Sequence, residues 1–297
     1  MRFGVREICN VVFKATVKDQ QIGEKKFAKG EPVIYFDSLK TSTMEQATTT
    51  VYAQGGRGNT RLVAWEGEKT LTFTMEDALI SEMGLAILAG ARLWDADSTK
   101  GNTIVAHVSE IIPDLTTGVS NLKSKAEGIT AYALPLDENG EVCGKAVVAT
   151  ITEEAGANKK YPVTATFEDG VTAKAVLVDY YIDKSTGATQ IDIEPECFGG
   201  NFYIEADTLF RDTNGADHAA QFVIPNGKIQ SNFTLTMASS GDPSTFTFTV
   251  DAFPGYVNGD ITKKVLSTIQ ILDDKEVSGV NDPAGDKEDS KPYEIGE

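Results

Sequence analysis

Short segments in which apolar and polar residues alternate make up most of this chain of 297 residues. The segments are rich in Val, Ile, Thr, Phe and Tyr, and turn-forming residues such as Asn226-Gly227 separate them. Alternation with a period of two places successive side chains on opposite faces of a strand. The sequence therefore predicts a mainly β fold. The clearest predicted strands are 10–17, 33–37, 69–75, 128–134, 145–151, 163–167, 172–182, 190–197, 201–207, 220–224, 229–237 and 245–253.

One segment has helical spacing. Apolar residues recur at every fourth position, at Met75, Leu79, Met83 and Ile87. Thr74 is suited to cap a helix N-terminus, and Gly90 is suited to follow its last turn. We predict one α-helix over about 75–89 that covers an open face of a β-sandwich or barrel.

Turns and composition divide the chain into three regions. Residues 113–189 have the pattern of a self-contained β meander, which we predict to be inserted into a core made of 1–112 and 190–272. From 273 to 297 the alternation stops, and the chain is rich in Pro, Gly and acidic residues. This composition predicts a mobile C-terminal tail.

The charge of the chain argues against nucleic-acid binding. Lys and Arg number 27 and Asp and Glu number 44, which gives a net charge of −17. Proteins that bind DNA or RNA neutralise phosphates with an excess of basic residues. Three scattered cysteines predict free thiols and synthesis in a reducing cytosol. No apolar run is long enough to predict a membrane span, and the first residues do not form a secretory signal.

The sequence contains no recognisable catalytic, metal or cofactor motif. His107 lies in an apolar strand-like run and His218 in a turn-like stretch, and no Gly-x-Ser-x-Gly motif occurs. The glycine cluster at 55–58 lacks the Gly-Lys-Ser/Thr ending of a phosphate loop, so a turn is the better interpretation. Asp95 and Asp97 match only half of a calcium loop. We expect neither an enzyme nor a bound cofactor or metal.

Acidic and hydroxyl residues recur at spacing two in three predicted strands. The residues of interest are Asp192, Glu194, Glu196, Glu205, Asp207, Thr247, Thr249 and Asp251. Alternation places each polar set on one face of a sheet. The residues alone leave three interpretations open: a solvated face, a pair of glycosidase carboxylates, or a polar face that lines something.

Several longer stretches resemble the tail tube proteins of contractile-tailed bacteriophages. In the first half they run from Glu31 to Asp37 and from Thr50 to Ala91 with gaps, and include Trp65-Glu66-Gly67. In the second half they are Phe198 to Tyr203, Thr208 to Arg211, Ile224 to Lys228 and Met237 to Pro243. The resemblance covers about two thirds of the chain and excludes the predicted insertion and tail.

The resemblance implies a barrel with one flanking helix and a structural role in the virion tail. Six subunits would form a ring, and stacked rings would form the inner tube through which DNA is ejected. The implied partners are other copies of the chain, the sheath, the tape-measure protein, the baseplate or hub initiator and the tail terminator. DNA would pass without sticking, assembly would take place in the host cytoplasm, and no membrane insertion is implied.

The resemblance also gives roles to two sets of residues. The acidic and hydroxyl set defined above becomes the candidate lumen-facing set. A loop over Tyr52 to Gly67 takes the place of the family loop that reaches the neighbouring ring, although an ordinary hairpin is the alternative. Its candidate contact residues are Tyr52, Gln54, Arg57, Asn59, Arg61 and Trp65.

Three other functions remain open on the sequence. The tube of a phage-like contractile injection system would share the fold and differ in its cargo. A carbohydrate-binding or glycosidase module would depend on Glu194 or Glu196. A capsid decoration protein would bind a capsid lattice as a monomer or trimer.

Overall fold

The computed structural model describes residues 2–113, 120–153, 161–237, 239–240, 245–257 and 259–272. The predicted tail, 273–297, lies outside the described residues. The described part of the chain is mainly β with one helix, as the sequence predicts.

The described elements comprise nineteen strands and one helix. The first strands are β1 (Phe3–Val5), β2 (Asn10–Ala15), β3 (Gln20–Ile22), β4 (Lys25–Phe27), β5 (Pro32–Phe36), β6 (Leu39–Gly55) and β7 (Thr60–Asp77). Helix α1 (Glu82–Ala89) follows. The middle strands are β8 (Arg92–Asp95), β9 (Ile104–Ile112), β10 (Ser120–Leu122), β11 (Ala131–Leu136), β12 (Val147–Ile151), β13 (Tyr161–Thr164) and β14 (Ala175–Lys184). The last strands are β15 (Thr189–Asp192), β16 (Asn201–Asp212), β17 (Asp217–Ile229), β18 (Phe246–Ala252) and β19 (Thr268–Leu272).

The larger sheet has nine strands in the order β5-β2-β16-β17-β18-β7-β6, with β1 beside β16 and β19 beside β17. Its end strands, β5 and β6, are consecutive in the chain but pair with different neighbours. The ring of Phe36 in β5 nevertheless lies edge-on to the ring of Phe248 in β18, with the ring centroids 4.9 Å apart. The sheet is therefore curled around an apolar core. Members of this core include Val11, Phe13, Phe36, Phe73, Met75, Leu88, Phe202, Ile204, Phe248 and Val250.

The smaller sheet has the order β10-β13-β12-β11-β14-β9 and its own core, which includes Ala133, Val163, Val176, Val178 and Tyr180. It belongs to a compact unit formed by Trp94–Gln190, and the other unit contains the chain up to Leu93 and from Ile191 onward. The sequence-based boundary at 113 is too late. Strand β9 pairs along its whole length with β14, from Ile104 opposite Lys184 to Ile112 opposite Val176, and so belongs to the inserted unit.

The helix begins later than the spacing predicts. Ser81 caps it, because its Oγ accepts a hydrogen bond from the Gly84 amide at 3.0 Å. Met75 is instead part of β7, where alternate residues are buried as far as Asp77. Residues four positions apart lie on the same face of a helix and also on the same face of a strand. The apolar spacing alone therefore did not show where the strand ends and the helix begins. The predicted end is confirmed by Gly90, which follows the helix in the left-handed conformation with φ of 62°.

One predicted strand ends early, another does not form, and one predicted loop is regular. The strand predicted over 190–197 stops at Asp192, and the strand predicted over 229–237 does not form, because β17 ends at Ile229 and no strand follows among the described residues before β18. The segment 52–67, predicted as a loop, consists mainly of the ends of β6 and β7 and the turn between them.

Substitution of Gly90 by Ala is expected to lower the free energy of unfolding by about 1–3 kcal/mol. A side chain at this left-handed position is strained, and its Cβ would lie only 2.5 Å from the backbone carbonyl carbon of Phe198. Chemical denaturation measures the change. Gly30→Ala is the control: its φ is 83° with nothing within 4 Å, so it carries only the conformational cost of about 1 kcal/mol. An equal effect of both substitutions would contradict the role of the close contact.

Candidate assembly and lumen surfaces

A long hairpin made of β6 and β7 extends past the core of the larger sheet. The strands contain 17 and 18 residues. At their core-proximal ends, buried residues alternate with half-buried ones in β7 and half-buried residues with exposed ones in β6, but residues 46–70 are exposed throughout, apart from the half-buried Ala53 and Gly55. No other described part of the chain therefore covers either face of residues 46–70, which we call the distal arm.

Glycines shape the tip of the distal arm. Gly56 and Gly58 have φ of 79° and 90°, and Asn59 has φ of 48°. The amide of Asn59 donates to the carbonyl of Gly56 at 3.2 Å, which closes the turn. Left-handed backbone is favourable for Gly and tolerated by Asn, so the glycine cluster builds a hairpin turn.

The distal arm brings the six predicted contact residues onto one hairpin. The Arg61 guanidinium lies 4.0 Å from the centroid of the Tyr52 ring, and Asn59 Nδ2 donates to Gln54 Oε1 at 3.3 Å. Trp65 lies directly opposite Val51. Arg57 lies in the turn at the tip.

One face of the distal arm is apolar. Val51 opposes Trp65, and Ala53 opposes Val63. Val51, Val63 and Trp65 are 65%, 49% and 56% exposed. Exposed apolar side chains that adjoin in this way are typical of a protein interaction surface. Arg and Trp are also common anchors in such surfaces.

Polar side chains on β6, β7 and β18 form a second surface. The cross-strand register aligns Thr43, Thr74 and Thr249 in one row across the three strands. Rows on either side extend this pattern to nine side chains, which we call the hydroxyl array. Its members are Thr41, Thr43, Glu45, Thr72, Thr74, Glu76, Thr247, Thr249 and Asp251.

The hydroxyl array contains acids but no basic side chain, although the exposed Lys228 of β17 lies directly opposite Asp251 at its border. Glu76 accepts hydrogen bonds from Thr245 and, at 3.4 Å, from Thr41. Gln230 Nε2 donates to both carboxylate oxygens of Asp251, at 3.0 and 3.1 Å. The array includes three predicted lumen-facing residues, Thr247, Thr249 and Asp251. The members on β6 and β7 were missed in the sequence, although Thr41, Thr43, Thr72 and Thr74 have the same spacing of two.

Glu205 and Asp207 lie elsewhere on the larger sheet, on β16. Glu205 forms an ion pair with Lys14 of β2. Asp207 Oδ1 is buried without a hydrogen-bond partner among the described residues. Burial raises the pKa of Asp207, and the nearby Glu205 charge adds to the rise, whereas a hydrogen bond with Gln221 and the Lys14 charge oppose it. Strand β17 separates this pair from the hydroxyl array.

The predicted residues Asp192, Glu194 and Glu196 do not share a strand face. Asp192 is the last residue of β15, and the two glutamates are exposed in the turn that follows. Cys197 Sγ donates to Glu194 Oε2 at 3.3 Å, and this hydrogen bond is the main cause of the raised pKa of Cys197. The three acids are therefore not arranged as an alternating polar strand.

The comparison with known families identifies the kind of protein. A family model described as the YomU/Tube protein family matches residues 15–265. The chain belongs to the YomU/Tube protein family. The family name indicates a phage tube structural protein, and thus a virion tail component. No curated protein matches the chain.

The histidines of this YomU/Tube protein do not form a hydrolytic triad with their described neighbours. His107 Nε2 lies 2.5 Å from Asp179 Oδ1 and 3.5 Å from Ser109 Oγ. The same ring nitrogen therefore contacts both the acid and the hydroxyl group. A triad instead uses one nitrogen for the nucleophile and the other for the acid. His218 is buried, with Nε2 3.7 Å from Asp212 Oδ2.

Two further findings concern the described residues only. They contain no group of three or more His, Cys, Asp or Glu side chains placed to hold a metal ion. None of their helices has the length and apolar character needed to cross a membrane.

Asp207→Asn is expected to stabilise this YomU/Tube protein at pH 7. Because burial raises the pKa of Asp207, the folded state holds a proton more tightly than the unfolded chain, whose Asp pKa is about 3.9. The free energy of unfolding therefore falls as the pH rises from the unfolded-state pKa to the higher folded-state pKa of Asp207. Above that pH range the buried, ionised carboxylate destabilises the folded state. Asn removes that cost, so the gain in melting temperature should shrink as the pH falls below about 4. Thermal unfolding from pH 3 to 8 measures it.

The control for this change is Asp169→Asn, which removes the same charge at an exposed turn of the inserted unit. It is expected to leave the pH dependence of melting close to that of the unaltered protein. A melting difference for Asp207→Asn that does not depend on pH would contradict the assigned cause.

Proposed function

We propose that this chain is the repeating subunit of the inner tube of a contractile phage tail. Six copies form a ring, and stacked rings form the channel through which phage DNA is ejected. The observation that carries the proposal is the distal arm. It is an uncovered hairpin on a YomU/Tube family subunit, with an apolar face and exposed arginines suited to contacts with other copies.

The edges of the larger sheet support ring formation. Strands β5 and β6 end the strand order, and each has one strand partner among the described strands. Unpaired edges are templates for association with other chains, and closed assemblies remove them. Lateral pairing between neighbouring copies would use the edge of β5 and the core-proximal part of the edge of β6, residues 39–45, without any change in the core.

The hydroxyl array supports a role as the lumen surface. A wall that carries Lys or Arg would bind DNA phosphates and slow the passage of the genome. The hydroxyl array offers six threonines and three acids, and so presents neutral or negative groups to DNA, with Lys228 at its border beside the carboxylate of Asp251. We retain Glu205 and Asp207 as lumen candidates on the adjoining part of the sheet, and Asp192, Glu194 and Glu196 as weaker ones outside a strand face.

Assembly must overcome repulsion between copies. Six copies that carry −17 each give a ring of −102. Screening over about 8 Å at physiological salt reduces the repulsion between distant charges. Apolar and hydrogen-bonded contacts must supply the rest, which gives the apolar face of the distal arm a purpose.

The proposed partners follow from the position of an inner tube. The sheath surrounds it, the tape-measure protein occupies it during assembly, and a baseplate or hub initiator and a tail terminator bind its two ends. Assembly takes place in the host cytoplasm. The tube of a contractile injection system remains the alternative with the same fold, and the cargo distinguishes the two.

Negative-stain electron microscopy of the purified full chain tests the proposal, with light scattering on the same sample. Hollow rings or tubes with sixfold end views are the expected result. A 31.9 kDa monomer that does not polymerise even on tail baseplates would overturn it. Sugar binding by that monomer would favour the carbohydrate-binding alternative.

A further inference from the structure

Residues 230–237 have the sequence of a strand but are not one in the single chain. Thr and Phe are favourable in strands, and the apolar residues Phe233, Leu235 and Met237 alternate with polar ones. Phe233 packs against the core of the larger sheet. Leu235 and Met237 are 45% and 85% exposed. We call 230–237 the spare strand.

The spare strand runs beside β18 without joining it. The Gln230 amide donates to the Thr249 carbonyl at 2.9 Å, but residues 231–235 form no backbone-to-backbone hydrogen bond with the described part of the chain. A groove of about 550 Å³ separates the spare strand from β18. It is lined by Phe233, Thr234 and Thr236 on one side and by Thr245, Thr247 and Thr249 on the other. The backbone groups of residues 231–235 are thus available to another strand.

A matching unpaired edge lies in the distal arm. Strand β6 pairs with β7 along one edge and has no strand on its other edge among the described elements. Exposed edge strands are usually protected by charged residues, above all lysine. Residues 46–55 of β6 contain no charged residue, and neither does the spare strand, although the chain as a whole carries −17.

We infer that the spare strand of one copy pairs with the free edge of β6 in the distal arm of a second copy. Both segments are uncharged, so they can approach without the repulsion that the rest of the surface imposes. Both offer exposed apolar side chains, Leu235 and Met237 on one and Val51 on the other. Both are also rich in Thr, which pairs well with Thr across strands.

This inference rests on the proposed function and adds the surface that receives the distal arm. Because the donor and the receptor are different surfaces of the chain, the contact is heterologous. Such a contact closes a ring when the rotation between copies closes and otherwise propagates along an axis. Each subunit then gains a strand that it lacks alone, and the exposure of Leu235 and Met237 ends on assembly.

Hydrogen exchange on the full chain is the first test, with the same protein compared as monomer and as assembled tube. Exchange of the amides of 231–235, and of the amides of 46–55 that point to the free edge of β6, is expected to slow by at least about tenfold on assembly, because strand pairing protects them. If the protein assembles and these amides exchange as in the monomer, the inference is wrong while the proposed function stands. If no ring or tube forms under any condition, the proposed function fails first.

Variants give a second, independent test. Leu235→Glu and Val51→Glu each place an unpaired charge in the inferred contact, and each is expected to raise the protein concentration needed for assembly by at least about tenfold. Ile111→Glu is the matched control, at an aliphatic residue of the inserted unit that is 62% exposed, and should assemble normally. All three monomers should melt at nearly the same temperature.

The variants also identify the edge that pairs. Loss of assembly with Leu235→Glu but not with Val51→Glu would overturn the assignment to β6 and direct the search to the outer edge of β19. Equal behaviour of Leu235→Glu and Ile111→Glu would overturn the role of the spare strand. A mixture of Leu235→Glu and Val51→Glu proteins should form short complexes and not tubes, because each variant keeps only one of the two surfaces.

Discussion

Replacement of residues 47–70 by a two-residue Asn-Gly turn is expected to give a folded monomer that no longer forms tubes. Gln46 and Leu71 lie directly opposite each other, so a two-residue turn can join them without a change of register. The buried side chains of β7, Leu71, Phe73 and Met75, all remain. The removed residues are exposed and contribute little to the core. Electron microscopy measures the loss of assembly, and thermal unfolding measures the stability of the monomer.

A single substitution at the tip of the distal arm tests whether the position of a charge matters beyond its effect on the net charge. Arg57→Glu and Lys145→Glu alter the net charge equally, but only Arg57 lies in the turn of the distal arm. Assembly by Arg57→Glu is expected to need a higher protein concentration, while Lys145→Glu should resemble the unaltered chain.

Normal tubes from the protein that lacks the distal arm would show that the arm has no part in assembly. An unfolded protein would show that the arm belongs to the fold.

The sequence predicted the β class because one side of most strands faces a core. In β2, β16 and β18 the buried residues alternate strictly with less buried ones, as their apolar pattern requires. The distal arm has no core on either face, so its residues lack that pattern. The glycine cluster at 55–58 was correctly taken as a turn, and the regular strands on either side of it match the hairpin that was the alternative to a loop.

The candidate surfaces depend on partners that are distant in the chain. The hydroxyl array exists because β18 and β6 flank β7 in a register that aligns their threonines, which alternation within one strand does not specify. The predicted strand over 190–197 stops at Asp192, before Pro195, which has no amide to donate to a ladder. The spare strand has residues that are favourable in strands, but residues 231–235 form no backbone hydrogen bond with a strand among the described residues. Strand propensity depends on the residue types of a segment and does not report whether a neighbouring strand is there to pair with it.

Phe248→Ala is expected to lower the free energy of unfolding by about 3–5 kcal/mol, the largest effect of any single substitution considered. Phe248 is fully buried in the core of the larger sheet. Its ring contacts the ring of Phe36 in β5, which is at one end of the strand order, and also lies near Gly84 of the helix. Truncation would leave a cavity where the curled sheet meets the helix, and a packed sheet collapses into such a space only in part.

Chemical denaturation of the variant, followed by a signal from the larger sheet, measures the loss. The smaller sheet has its own core, so its unfolding should change less. Phe198→Ala is the matched control, because the same ring is removed from a side chain that is 73% exposed, and its effect should lie within about 0.5 kcal/mol. If both substitutions cost the same, the larger sheet does not close around Phe248. If Phe248→Ala costs the expected amount and tubes still form at high protein concentration, then the core maintains the subunit while separate exposed surfaces drive assembly.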